Sequence, residues 1–141
     1  MTPEEEKSLL LRVVVRIAQT QLEKGGFIPF GATLRAGRDV QLLIPKGAPG
    51  GNTTIELVNA YWSRQMAKAI ESGDVRALCT VADVRESNSD GRLVPGVFIH
   101  IEHFSGDAED LLYLYSKLEN SQVRFQEPTR ETTTLKFFNV T

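Results

Sequence analysis

Residues Leu93 to Tyr115 read LVPGVFIHIEHFSGDAEDLLYLY, and how they fold decides between a largely helical chain and a sheet. Val97, Ile99 and Ile101 alternate with Phe98, His100 and Glu102, the period of two that belongs to a strand. After Ser105-Gly106 the signal is double. Asp107-Ala108-Glu109-Asp110 reads as a helix start, whereas Leu111 to Tyr115 alternates like a strand. Register arbitrates. Upstream, Asp90-Gly91 is a strong hairpin signal. Taken as a two-residue loop, it sets Val84 opposite Val97, Ala82 opposite Ile99 and Thr80 opposite Ile101. Ser105-Gly106, taken the same way, sets Leu112 opposite Ile99 and Leu114 opposite Val97. Three segments then agree on one inner face. That agreement favours a strand over residues 107–118, with the helix as the alternative.

Working outward, Thr2-Pro3-Glu4-Glu5 starts a helix: Thr2 caps, Pro3 occupies the first turn and Glu5 closes a capping box. Leu10, Val14, Ile17 and Gln21 share one face, with Leu11, Val15, Ala18 and Leu22 beside it, and Gly25 ends the helix. Phe27 to Leu34, FIPFGATL, is expected to leave that helix and run into an edge strand, since Pro29 offers no ladder donor. Gly31 within it allows a bulge or a close backbone approach. Ala36-Gly37-Arg38-Asp39 turns the chain into Val40–Ile44. A Gly/Pro-rich loop from Pro45 to Asn52 leads to a second helix, about Thr53 to Ser72, with a Thr53/Glu56 capping box and Gly73 as its stop. Val123–Gln126 and Thr133–Phe138 read as two short strands around Pro128. The expected fold is α+β: two helices packed on a mainly antiparallel sheet, in the order α-ββ-α-βββ plus short C-terminal strands, forming a single domain over 1–141.

In order and flavour, the first helix, FIPFGATL, the second helix and VFIHIEHFSGDAEDLLYLY (Val97–Tyr115) resemble small uncharacterised bacterial α+β proteins. Those proteins carry a Phe-x-Pro-Phe-Gly-Ala segment, here Phe27 to Ala32, and a later strand ending in Glu-His, here Glu102-His103. The resemblance spans residues 1–126. It implies a compact domain of bacterial type and supplies no activity, cofactor or catalytic residue.

Composition excludes several functions. A net charge of −2 with no basic run lacks the electrostatic footprint of a nucleic-acid binder. The pairs Arg12/Arg16 and Arg64/Lys68, four apart on the two helices, read as solvated faces. The single cysteine, Cys79, permits neither an internal disulfide nor a CxxC motif. The first residues open acidic and run through Arg12 and Arg16, unlike a signal peptide or a membrane span. The expected location is therefore cytoplasmic, and the N-x-T triplets at Asn52 and Asn139 are accidental.

Four constellations carry candidate chemistry. The segment Pro45–Glu56, PKGAPGGNTTIE, has the setting of a phosphate loop but fails its pattern, because Lys46 precedes the glycines and Thr53 stands where the lysine belongs. HIEH lacks the spacing of a helical zinc site, and on a strand His100 and His103 point to opposite faces. No metal or cofactor is implied. The two-residue register puts Cys79 opposite Glu102 and diagonal to His100, the inventory of a small thiol hydrolase. Cys79 nevertheless sits in an apolar strand without a helix N-terminus or a turn to activate it. The same register gathers Val81, Phe98, His100, Leu111, Tyr113 and Tyr115 on the outer face, a patch suited to an interface or a ligand groove. The reading is a non-catalytic binding or interaction protein, regulatory or immunity-like, whose partner is another protein or a second copy of itself. A homodimer centred on Tyr113 is the expected form. A cysteine hydrolase using Cys79, His100 and Glu102, or a sensor of a small ligand, is the alternative.

Overall fold

Thr2 caps the first helix as its sequence requires. Its hydroxyl accepts from the Glu5 amide at 3.1 Å, while the Glu5 carboxylate takes the Thr2 amide. In the computed structural model, which describes residues 1–44 and 55–138 (the side chains of 55–59 excepted), helix α1 spans Pro3–Glu23. It closes in a Schellman motif. Gly26 donates to the Gln21 carbonyl and Gly25 to that of Leu22, with Gly25 at φ 89°. Phe27 then packs back on the core, while Ile28 stays exposed.

Strands β1 (Phe30–Arg35) and β2 (Val40–Leu43), helix α2 (Ile55–Glu71), and strands β3 (Val75–Ser87), β4 (Leu93–His103) and β5 (Ala108–Lys117) follow. Short strands β6 (Val123–Phe125) and β7 (Thr129–Thr132) end the series. The fold is thus α+β in the expected order, and the segment read as strand or helix over 107–118 holds a strand, Ala108–Lys117. All pairings are antiparallel, in the spatial order β2-β1-β3-β4-β5-β6, with β7 also on β5. β1 lies between β2 and β3, so FIPFGATL feeds an interior strand and not the expected edge. Pro29 avoids conflict by standing just before the ladder. The expected strand at Thr133–Phe138 is displaced: β7 occupies Thr129–Thr132, and the following residues fold beneath β4. The loop Pro45–Asn52 and the Thr53/Glu56 cap lie outside the described residues.

The registers differ from expectation by one residue, and the loops explain why. Asn88 and Arg92 close the β3–β4 hairpin, its amide donating to the Arg92 carbonyl at 2.8 Å, so the loop is Ser89-Asp90-Gly91 rather than Asp90-Gly91. His103 and Asp107 close β4–β5 in the same way around Phe104-Ser105-Gly106. The β1–β2 and β5–β6 loops, Ala36-Gly37-Arg38 and Glu119-Asn120-Ser121, repeat the pattern. In each, the third loop residue is left-handed: Arg38 at φ 68°, Gly91 at 76°, Gly106 at 113° and Ser121 at 68°. This is the three-residue hairpin in which a tight turn is followed by a left-handed bulge residue. One extra loop residue shifts the register by one, and a shift of one exchanges the faces of the partner strand. Val81 therefore pairs with Ile99, Cys79 with Ile101, and Ile99 with Leu111.

The true faces follow from these pairs. One carries Phe30, Ala32, Leu34, Ala77, Cys79, Val81, Val97, Ile99, Ile101 and Leu111, closed over by Leu10, Leu11, Val14, Ala18 and Leu22 of α1. The other carries Leu78, which packs with Val75, with Trp62 and Met66 of α2, and with Phe138. The helices thus cover opposite faces. Gly31 permits the second contact: a Cβ there would stand 2.9 Å from both Met66 Cε and Trp62 Cζ3 and 3.1 Å from the Cys79 carbonyl. The glycine left unexplained by the sequence marks a close helix approach.

Candidate functional site

Cys79 shows no exposure and lies under α1, with the backbones of Ala32 and Ile101 beside it in the ladder. Burial pushes its thiol up to about 12, a small hydrogen bond from the Ala32 backbone notwithstanding. His100 and Glu102 are on the opposite face, where Glu102 pairs with Leu78 and His100 with Thr80. The expected trio of Cys79, His100 and Glu102 is therefore not assembled. The two-residue register had set Cys79 against Glu102, and the third loop residue moves them to different sides of the sheet.

His100 and Glu102 instead form the centre of a clamp. His100 Nε2 meets Glu102 Oε2 at 2.5 Å, and Nδ1 meets Asp110 Oδ1 at 2.7 Å, so each ring nitrogen has a carboxylate partner. Asp110 is in place because it pairs with His100 across β4–β5. The Glu102 carboxylate also accepts from the amides of Lys136, Phe137 and Phe138. Burial opposes its ionisation, but the His100 contact and the three amides together outweigh burial and hold the carboxyl below its usual range. Phe137 stacks edge-on against His100 at 6.0 Å. Through Glu102 the cluster fastens the C-terminal segment beneath β4.

A second cluster joins α1 to the β4–β5 turn. His103 Nε2 meets Glu6 Oε1 at 2.9 Å, and Nδ1 meets the Ser105 hydroxyl at 2.8 Å. Arg76 grips the same carboxylate through Nε and Nη2 and stacks over Phe104 at 4.2 Å. The Arg76 hydrogen bond, aided by His103, holds the Glu6 carboxyl below its usual range despite burial. A hydroxyl, an imidazole and a carboxylate in series make the inventory of a serine nucleophile. The local geometry is that of a turn clamp. The Ser105 amide itself donates to His103 Nδ1 at 3.1 Å, and the ring has no exposure, so the lone pair a base would use is already engaged.

One of the open concavities lies elsewhere, along a flank of α1. A groove of about 620 Å³ runs between Ser8, Leu11, Arg12, Val15, Arg16 and Gln19 on the helix and Tyr113 and Arg130 on the sheet. Register builds its far wall: Arg130 of β7 pairs with Leu111, which sends both to the α1 face, and Tyr113 stands two residues further along β5 on that face. Gln19 donates to the Val123 carbonyl at 3.1 Å and Glu23 accepts the Val123 amide, fixing the end of the groove. Beyond Tyr113 a second hollow of about 660 Å³ is lined by Phe125, Gln126, Glu127, Pro128 and Arg130. Tyr113 meets Phe125 edge-on at 5.9 Å. Partial burial raises the Tyr113 hydroxyl, with Arg130 opposing and Glu127 reinforcing the rise.

The expected outer patch is divided by the same register. Val81, Leu111, Tyr113 and Tyr115 share the α1 face, the first two buried in its core; Phe98 and His100 lie on the other face. Of the six, Tyr113 alone lines the groove. Arg12 and Arg16 were read from the sequence only as a solvated helix face; Arg130, and the partners Glu6, Arg76, Ser105 and Asp110 of the two histidines, were given no role there. Glu6 and His103 are 97 residues apart, and nothing local marks them as neighbours. Among the described residues no group of three or more His, Cys, Asp and Glu is placed to hold a metal, and no helix is long and apolar enough to cross a membrane. Comparison with protein-family models, with curated proteins and with solved structures finds no match to this chain.

Proposed function

We propose that this chain is a non-catalytic binding protein of bacterial type that recognises another protein, in the manner of a regulatory or immunity protein. The observation that carries the reading is the contrast between its reactive and its accessible groups. Cys79, His100 and His103 are buried and committed to packing or clamps. The groove on α1 offers guanidinium, phenol, amide and aliphatic groups, which recognise a surface without transforming it.

The test is recovery of the tagged chain from its host under gentle conditions. A stoichiometric protein partner is expected, retained unchanged by Cys79→Ala and by Ser105→Ala. Turnover of thioester, ester or amide substrates that disappears in either variant would replace this reading with a hydrolase.

A further inference from the structure

The groove flanking α1 has a charge pattern that specifies its occupant. Arg12 and Arg16 are one helical turn apart, and both are exposed. Arg130 faces them from β7 across a floor of Leu11, Val15 and Tyr113. Among the described residues Arg130 keeps one loose ion pair, with Glu109 at 3.6 Å, and Glu109 is itself shared with Lys7 at 3.9 Å. All three guanidiniums therefore border one strip of half-buried apolar surface. Guanidinium forks bind carboxylates in pairs, and a rim of such forks above an aliphatic and aromatic floor suits a chain that alternates acidic with apolar side chains. β7 makes sense in this light, since all four of its residues are exposed and its placement of Arg130 completes the rim.

Resting on the protein-binding reading above, we propose that the groove formed by Arg12, Arg16, Arg130 and Tyr113 docks an acidic, partly apolar segment of a partner protein. The carboxylates pair with the arginines, and an apolar side chain lies on Leu11, Val15 and Tyr113. Glu127 stands in the adjoining hollow and sets the limit of the basic strip. A carboxylate there repels a uniformly charged polyanion, so a nucleic-acid backbone fits this surface less well than a peptide of mixed character.

The experiment is a fluorescence-anisotropy titration of the full chain. Its probes are a short fluorescein-labelled peptide alternating glutamate and leucine, the same peptide with lysine for glutamate, and a single-stranded thymidine oligonucleotide. The glutamate peptide is expected to bind saturably and more weakly as salt rises, and the lysine peptide not to bind. Arg12→Glu, Arg16→Glu and Arg130→Glu should each weaken binding by about tenfold, as loss of a partly exposed ion pair plus a new repulsion implies. Arg64→Glu, on the exposed side of α2, should leave it unchanged. Because the three arginines are surface groups, unaltered circular dichroism separates lost binding from lost folding; Arg→Gln versions supply the same comparison should a reversal unfold. No saturable binding of the glutamate peptide, equal binding of the lysine peptide, tighter binding of the oligonucleotide, or indifference to all three reversals would overturn the proposal. If a partner recovered from the host still bound the triple reversal with undiminished affinity, the groove assignment would fall while protein binding stood. Turnover dependent on Cys79 or Ser105 would remove the broader reading instead.

Discussion

Glu102 is buried, yet it is kept ionised by three successive amides and an imidazole, and its removal reports directly on the C-terminal segment. Glu102→Gln keeps the shape but turns an amide NH₂ toward backbone donors. The expected loss is about 2 kcal/mol of stability, the scale of hydrogen bonds to a charged group. Hydrogen exchange should show the amides of Lys136, Phe137 and Phe138 opening before the sheet does. Unchanged protection there would dismiss the clamp. Cys79 gives a second residue-level expectation. With no exposure and a thiol raised to about 12, it should resist iodoacetamide at neutral pH in the native protein and react only on unfolding. Rapid native labelling would contradict its place beneath α1. Gly31 gives a third. A methyl group there meets the Met66 terminus, which can swing away, but also the Trp62 ring and the Cys79 carbonyl, which cannot do so cheaply. Gly31→Ala should cost about 1–3 kcal/mol by overpacking, read as a lower urea midpoint.

At the scale of elements, the hairpin loops set the fold's geometry. Each needs a left-handed third residue, and two of the four use a residue other than glycine, Arg38 and Ser121. A side chain in that conformation costs about 1–2 kcal/mol, part of which glycine would return as unfolded-state entropy. Ser121→Gly is therefore expected to raise stability by about 0.5 kcal/mol, measured as an increase in the denaturant midpoint at constant slope. Gly91→Val, which imposes a branched side chain at φ 76°, should do the reverse. A stable Gly91→Val hairpin with unchanged cross-strand contacts between Val81 and Ile99 would show that the loop does not need that conformation.

For the molecule as a whole, two buried carboxylates with depressed values, Glu6 and Glu102, tie stability to pH. Glu6 faces Arg76 and His103; Glu102 faces His100, with Asp110 on the far side of the ring. Both have folded-state values below the ordinary 4.5, so the folded protein binds fewer protons than the unfolded chain in acid. Their stabilising contribution is present above about pH 4.5 and is lost as pH falls through the lower folded-state values. Urea midpoints should decline as pH drops below 4.5, and more gently in Glu102→Gln, which has one fewer carboxylate to protonate. Equal slopes in the two proteins would separate Glu102 from acid unfolding. The sheet register also bears on the expected homodimer. Its surface joined Tyr113 to Phe98 and His100, which the sheet places on opposite faces, so that patch offers no continuous two-fold contact.

The sequence by itself determined the local structure: the Thr2 and Glu5 cap, the Gly25 and Gly73 stops, the apolar stripe of α1, and the strand character and order of the elements. Each rests on contacts within a few residues or on a period that shows in the chain. Even the choice of strand over helix for residues 107–118 was legible, although the register used to reach it was one residue out. Only the tertiary structure decided which faces those strands present. The DG and SG dipeptides signal a hairpin without stating whether its loop has two residues or three, and with a side-chain period of two that single residue sends every partner side chain across the sheet. Cys79 was thereby parted from Glu102 and the outer patch was divided, while the pairing of β7 with β5 carried Arg130 to the face of Arg12 and Arg16. The two histidine clamps and the groove share this origin. They bring together residues as far apart as Glu6 and His103, whose proximity is fixed by chain closure through the whole sheet and by no pattern within either segment.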